Sequence, residues 1–453
     1  MLRCLFISLT LIAAPAVAFA GNVFNSGNHS AEYARTLNRN ASTDVDAAVY
    51  NAAGTIAMPE GFHLGLTNHF VFKLDNPSLG EKEFRADDPV LFYPTLSLVY
   101  NAGNWSAFIH AGVPAGGGSK NFKDGHPVLS AEAVVPFVNE RGQATLGDGV
   151  NVAEQDGTLV TSGAVKGTST YYGLTVGGAY QALEWLSIGL GLRFVQGEES
   201  TVGAGEFDLA LTEVGEGAAQ LGMLADPLLL GVDTQTKSNL GFNPILSLYS
   251  TPVDGLGVAL QYQFKTPMEW ERTYAELEDG VEDVGPSFYP SNDYRKDLPA
   301  IGTLGVSYMV TKELRAELNY THYFNSQAVW EDRVTDEEGN TATVDRMEPF
   351  TDGWESGLAL EYDFGDLVMS VGAAYQHTGS TLEAKTWLSG NLNTFAVATG
   401  ATYTINDNFE VTLGAFNIHY ISQTKNMGTE EAPADLKYSQ SVQGVVAGMN
   451  AHF

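Results

Sequence analysis

From residue 61 onward, apolar and polar residues alternate at the period of two that sends successive side chains to opposite faces of a β-strand. Leu186, Ile188, Leu190, Leu192 and Phe194 share one parity, against Ser187, Gly189, Gly191 and Arg193. Leu256, Val258, Leu260, Tyr262 and Phe264 likewise oppose Gly257, Ala259, Gln261, Gln263 and Lys265. Read this way, the chain predicts 14 strands, near 61–73, 89–100, 104–114, 168–180, 185–197, 238–250, 256–269, 298–310, 313–329, 354–364, 367–377, 391–404, 408–420 and 437–453. The connections alternate between long and short, the short ones being Asn101–Gly103, Gln181–Glu184, Thr251–Gly255, Thr311–Lys312, Gly365–Asp366 and Ile405–Asp407. A soluble sandwich or propeller has no reason to alternate in this way. A closed antiparallel barrel with turns on one side of a membrane and loops on the other does, so the fold predicted is all-β, a 14-stranded transmembrane β-barrel.

One stretch does not share the pattern. Arg39 to Met58 is small, alanine-rich and punctuated by Asn51 and Gly54. It is too short for a domain and too polar to cross a bilayer. It therefore predicts a plug enclosed by the barrel, its polar Asn40, Ser42, Thr43, Asp44 and Asp46 suited to a polar lumen. Ahead of it, Arg3, the apolar run Cys4 to Val17 and the small-x-small site Ala18-Phe19-Ala20 predict an export signal cleaved before Gly21. The organisation expected is thus signal peptide 1–20, plug or hatch 21–60 and barrel 61–453. Cleavage would remove Cys4, the single cysteine, and with it any thiol, disulfide or cysteine metal site.

Composition adds to this picture. No other run is apolar for long enough to form a spanning helix, and the mean hydropathy of -0.07 alone suggests a soluble chain. Yet 49 Gly, 23 Phe, 20 Tyr and only 17% charged residues suit an outer-membrane barrel, whose strands have weak hydropathy individually. Tyr172, Tyr180, Trp185, Tyr262, Tyr308, Tyr320 and Tyr362 near strand ends predict aromatic girdles. The net charge of -31 makes nucleic acid an unsuitable partner. The alternating last strand ending in Phe453 predicts recognition by the barrel assembly machinery, with outer-membrane lipid and lipopolysaccharide as the surroundings.

The stretches Glu271–Asp283 and Glu331–Asp345 are acidic and predict external loops. Asp124–Gly167, with Val134-Val135-Pro136-Phe137, and Glu198–Lys237, with Leu221–Leu224 and Leu228–Leu230, are longer and more apolar. A structureless loop of that length is improbable, so short helices over the barrel mouth are expected. Their apolar residues suit either a greasy ligand or packing of loop on loop.

The plug with its punctuation, Asn40-Ala41-Ser42-Thr43-Asp44 through Tyr50-Asn51-Ala52-Ala53-Gly54, resembles that of the FadL-type family of transporters for long-chain fatty acids and other hydrophobic compounds. Leu298-Pro299-Ala300 leading into Leu304–Tyr308 is similar to another family strand. The family commonly has Asn-Pro-Ala-Gly in the plug, and Ala52 stands here in place of the proline. The resemblance implies a 14-stranded barrel in the outer membrane, an N-terminal hatch and sideways release of ligand through a kinked third strand. A hydrophobic small molecule such as a long-chain fatty acid is the partner expected, the protein is expected to be a monomer, and no cofactor or metal is assigned.

Site candidates follow. Asn51, Ala52, Ala53 and Gly54 are the plug's gate, expected to lie near Gly112 to Gly116. The kink falls at Gly112, Val113, Pro114 and Gly116, because proline donates no ladder hydrogen bond and glycine weakens pairing; a plain strand end running into a glycine-rich loop is the alternative. A carboxylate cargo needs a cation, and strand parity nominates Arg193, Lys265 and Arg315. Pairing of these with carboxylates such as Glu317 and Glu361 is the competing reading. No catalytic residue is assigned. None of the nine His stands in a hydrolase or zinc-protease motif, and His110, His322 and His377 fall in predicted strands. A general porin is the remaining alternative, and less favoured still is an outer-membrane lipid hydrolase.

Overall fold

The computed structural model describes residues 27–130, 133, 151–153, 160–207, 210–213, 228–283, 292–335, 341–387, 389–428 and 433–453. Its frame is a closed antiparallel barrel of 14 strands. They are β1 Gly61–Asp75, β2 Pro94–Asn101, β3 Trp105–Phe122, β4 Val160–Leu183, β5 Leu186–Phe207, β6 Gly241–Val253 and β7 Leu256–Gln263. The second half is β8 Ala300–Met309, β9 Leu314–Phe324, β10 Gly353–Asp363, β11 Leu367–His377, β12 Thr394–Asn406, β13 Phe409–Tyr420 and β14 Gln440–His452. Each strand pairs with its sequence neighbour, and β1 closes on β14 from His63↔His452 to Asp75↔Gln440. The short connections lie at the end where Phe453 hydrogen-bonds Phe62. Three of them turn on glycines at positive φ, Gly103, Gly255 and Gly365, the backbone region that tight hairpin turns require.

Alternation sorts the two faces as expected. Ile188, Leu190, Leu246, Leu260, Leu318 and Leu413 are exposed to the outside, whereas Ser187, Arg193, Ser247, Gln261, Glu317 and Thr412 are buried within. No described helix is long and apolar enough to cross a membrane. The band of outward leucines, isoleucines and aromatics is the surface that lipid covers.

Of the short helices expected outside this band, the described residues hold one, a 3-10 helix at Pro127–Leu129; the rest of what is described there is mostly strand. β4 and β5 run for 24 and 22 residues, about 80 and 70 Å at ~3.3 Å per residue. A spanning strand needs only about 9–11 residues, so both project well past the bilayer. Leu228–Ser238 continues this extension by pairing with β5, from Leu228↔Phe207 to Lys237↔Glu198, and Glu269–Tyr274 pairs with it in turn. The acidic stretch is likewise a hairpin, Trp330–Thr335 with Thr341–Asp345. Extending a ladder already formed in the membrane satisfies every backbone group at no new nucleation cost, which is why strand wins over helix here. Val134–Phe137 and Leu221–Leu224 lie outside the described residues, as does the expected export signal.

Strand ends also differ in two informative places. The second predicted strand, 89–100, is broken: Pro89–Val90 pairs with Val71 and Phe72 of β1, and regular pairing resumes only at Pro94. The seventh, 256–269, stops at Gln263, leaving Lys265 beyond it.

Residues 28–60 lie against the inner wall. They form a helix α1, Ala31–Thr36, capped by the Ser30 hydroxyl, a one-turn helix α2, Ala47–Tyr50, and a 3-10 turn, Ala52–Ala57. This hatch sits close because the wall presents glycine to it. A side chain at Gly372 would lie 1.7 Å from the Thr36 carbonyl, and one at Gly189 2.6 Å from the Ala53 nitrogen. Gly305, Gly357, Gly400 and Gly414 make similar room beneath Ala41, Asn38, Arg35 and Ala34.

Candidate functional site

The hatch is organised around one buried ion pair. Arg39 donates Nε and Nη2 to the two Asp46 carboxylate oxygens at 3.0 and 2.9 Å, and Nη2 also reaches the Ser42 hydroxyl and Asp44. Asp46 further accepts from Ser30 Oγ at 2.7 Å, so the helix cap and the ion pair share one carboxylate. Asn51 then fixes the next turn: its Nδ2 donates to the Ser42 carbonyl at 2.9 Å and its Oδ1 accepts from Ser247 of β6. Gly54 is obligatory beside it, since a Cβ there would lie 2.2 Å from the Ser42 oxygen and 2.4 Å from the Asn51 amide. Ala52 has its own use. Its backbone N–H donates to Gln261 Oε1 at 3.1 Å, a bond that the family's proline could not make. Ala53 exchanges bonds with Ser247 and Ser187, and Gln261 donates back to the Val49 carbonyl.

The structure therefore places Asn51–Gly54 against β5, β6 and β7, not against Gly112–Gly116 as the sequence reading expects. The hatch comes close to the kink through His29, whose Nδ1 lies 3.5 Å from the position of a Gly112 Cβ. Its ring meets His110 edge-on at 5.4 Å. Nothing in the hatch sequence marks His29, because contact across the lumen depends on which wall strand closes beside it.

At the kink, β3 pairs with β2 only from Asn101↔Ser106 to Leu96↔Ala111. Its pairing with β4 continues, but with two shifts of register: Gly112↔Gly173 is followed by Ala115↔Tyr171, and Gly116↔Thr170 by Gly118↔Ser169. Each is a bulge that gives β3 one extra residue. Gly116 and Gly117 take φ of +64 and +91, and Pro114 packs into the space left by Gly173, its Cδ 2.8 Å from where a Cβ would stand. On the other side, the chain between Val90 and Pro94 swings outward. Asn68 holds this bend, donating to the Leu91 carbonyl and accepting from the Tyr93 N–H, and Phe92 is 79% exposed.

Beyond Ala111 the wall between β1 and β3 is spanned by side chains. Tyr93 Oη donates to the Val113 carbonyl at 2.8 Å, Lys73 Nζ to the Ser119 carbonyl at 2.6 Å, and Lys120 pairs with Asp75 at 2.8 Å. Side-chain contacts break at far lower cost than a ladder of backbone bonds, so the sheet is weakest here. Of these residues, only the glycines and Pro114 could be read from the chain.

The three nominated cations fare differently. Arg315 pairs with Glu317 and Glu361, and Arg35 of the hatch joins Glu361 at 2.6 Å. Glu317 in turn accepts from the Ala41 N–H at 2.9 Å, so this network ties hatch to wall and leaves Arg315 no free charge to offer. It borders a cavity of about 420 Å³ below the hatch, lined also by Glu32, Asp44, Asp363 and Glu410. Lys265 stands past the end of β7, 38% exposed, 3.7 Å from Asp297 and bonded to the Gln327 carbonyl. Arg193 alone of the three is buried among neutral partners, Thr175 Oγ1 at 3.1 Å and Gln263 Oε1 at 2.7 Å.

The sequence profile of the family described as "Outer membrane protein transport protein (OMPP1/FadL/TodX)" matches residues 149–453. The chain belongs to this family. Solved structures place the fold beside it. A Pseudomonas aeruginosa FadL homologue superimposes with a TM-score of 0.67 at 12% identity, covering 97% of this chain and 100% of that one. The Pseudomonas putida toluene transporter TodX gives 0.65 at 14% identity over 96% and 100%. The Ralstonia pickettii toluene transporter TbuX gives 0.56 at 15% identity over 90% and 93%. No curated protein sequence matches the chain. Family and barrel together locate the protein in the outer membrane.

Proposed function

We propose that the protein is a passive transporter that takes hydrophobic small molecules across the outer membrane and releases them sideways through the break in β3. It is a transporter and not an enzyme on this reading. The cargo class runs from monoaromatic compounds such as toluene, named for TodX and TbuX, to long-chain fatty acids. The observation that carries the reading is the break itself. Two bulges, a bent β2 and three side-chain bridges replace a continuous ladder at one place in the wall. A hydrophobic molecule gains about 25 cal/mol for each Å² it moves from water into hydrocarbon, so an exit into the bilayer needs no energy source. The hatch's bonding to wall strands all round the barrel, which obstructs the straight path through the lumen, favours the same route. For a fatty acid, Arg193 is the remaining carboxylate anchor of the three nominated, because a buried guanidinium with neutral partners still has its charge to satisfy.

Uptake by cells lacking the protein tests this. Toluene or oleate should enter more slowly than in the parent strain, while small sugars enter normally. Equal loss for hydrophilic solutes would replace the reading with a porin.

A further inference from the structure

Glu355 stands on the inner face of β10, opposite Thr321 of β9 and Gln376 of β11 in the ladder. Neither neighbour bonds to it: Thr321 Oγ1 accepts from Asn40 Nδ2, and Gln376 Oε1 accepts from Thr394 Oγ1. Among the described residues Glu355 has no hydrogen bond and no ion pair, and no cationic side chain is near enough to act on it. Glu361, on the same face of the same strand, is held by both Arg35 and Arg315. Part of the Glu355 surface stays accessible although the residue points into the barrel, so open lumen adjoins it.

Two phenols face the same carboxylate. Tyr33 of α1 is fixed by stacking on Tyr50 at 5.5 Å; burial pushes its phenol well above the ordinary value, and the Glu355 charge adds to the shift. Glu355 acts on the Tyr323 phenol of β9 as well. Both tyrosines are buried, yet neither hydroxyl is hydrogen-bonded to a described residue. A carboxylate and two phenol oxygens thus come together beside α1 without partners. A buried charge lacking a counter-ion is costly, so the place favours a group that brings one. An ammonium head has three N–H donors and no acceptor, which matches this set of acceptors. An alcohol would meet one of them and leave the charge uncompensated, and a carboxylate would be repelled.

We propose that this place in the lumen binds a hydrophobic amine, a protonated primary amine on an aromatic or alkyl body, with Glu355 as its counter-ion and the Tyr33 and Tyr323 oxygens accepting from its remaining N–H groups. The proposal rests on the transport reading above and adds a cargo class to it.

Calorimetry on the full barrel in non-ionic detergent can test it with three probes of similar shape: benzylamine, benzyl alcohol and benzoate. Benzylamine should bind about tenfold more tightly than benzyl alcohol, the advantage of a charged over a neutral hydrogen bond, and benzoate more weakly than either. Glu355→Gln should bring benzylamine down to the affinity of the alcohol. Tyr33→Phe with Tyr323→Phe, which removes both phenol oxygens and keeps the rings, should weaken benzylamine about tenfold, and it carries the test if the first variant does not fold. A benzylamine preference that survives Glu355→Gln would mean binding to the acidic surface and would overturn the site. Benzoate binding as well as benzylamine, or an affinity untouched by the paired phenylalanine variant, would do the same. Uptake by whole cells separates this from the parent reading. If benzylamine shows no preference but toluene uptake is normal, the amine site fails and transport stands. If binding tracks Glu355 in a protein that moves neither benzylamine nor toluene inward, the amine site stands and transport fails.

Discussion

Asp46 carries more of the hatch than any other side chain, because Arg39, Ser42 and Ser30 all converge on it. Burial on its own would raise its carboxyl, but the Arg39 guanidinium and the hydrogen bonds hold it below its ordinary value. A carboxyl lowered on folding contributes stability that is present above its unfolded value of about 3.9 and lost as pH falls through the lower folded value. Limited proteolysis of the hatch should therefore be slow and flat from about pH 5 to 8 and quicken only below about pH 4. Asp46→Asn keeps the size but leaves the buried Arg39 guanidinium with only the half-exposed Asp44 as a charged partner, a loss of up to about 3 kcal/mol, so the hatch should be cut more readily at pH 7 than the parent's. Arg193→Leu asks a different question. It should weaken oleate binding about tenfold or more and leave toluene uptake unchanged; an equal effect on both would make Arg193 a structural residue. The sequence carried Asn51 and Gly54 as punctuation, yet of the wall residues that receive the hatch there, Ser187 and Gln261 were visible only as inward polar positions and Ser247 was not singled out. Parity tells which face a residue takes, not which partner it meets across a lumen.

At the scale of the element, alternation located all 14 strands and the short turns, because side-chain period and turn glycines are local properties. It missed the length of β4 and β5 and the strand nature of the external regions. Those depend on a neighbour extending the ladder, which no window on one strand contains. The third strand lies between these cases. Pro114 and its glycines marked the weak point, while the outward bend at 91–93 that opens the other side is held by Asn68, an unremarkable residue in sequence. The bulges also change how the break can be tested. A β-branched residue at Gly116 would meet the Ser169 carbonyl oxygen at 2.6 Å from a backbone at φ +64, so it should impair folding and reveal nothing about passage. Gly112→Ala, with its nearest neighbour a side-chain atom 3.1 Å away, is expected to fold.

For the whole molecule, topology and blockage are the properties to check. With the turns inside and the hairpins outside, protease added to intact cells should cut within 271–295 or 331–350; cutting at 251–255 or 405–408 would invert the barrel. In planar bilayers the hatch should keep steady conductance near zero, where a water-filled porin conducts continuously. Neither result identifies the exit. The register does provide a way to close it: one surplus residue in each bulge means that removing Pro114 and Gly117 together restores one-to-one pairing of β3 with β4 from Trp105 to Phe122. A single deletion removes one bulge and leaves the other, whereas the double deletion removes both; every residue of β3 that remains keeps its partner on β4, so no side chain changes face. The direct measurement is uptake of labelled toluene and oleate by whole cells carrying this double deletion, with the barrel shown to be folded and inserted. Uptake falling to the level of cells lacking the protein is the predicted result. Uptake at the parent rate through a continuous third strand would contradict lateral release and send the cargo through the lumen instead.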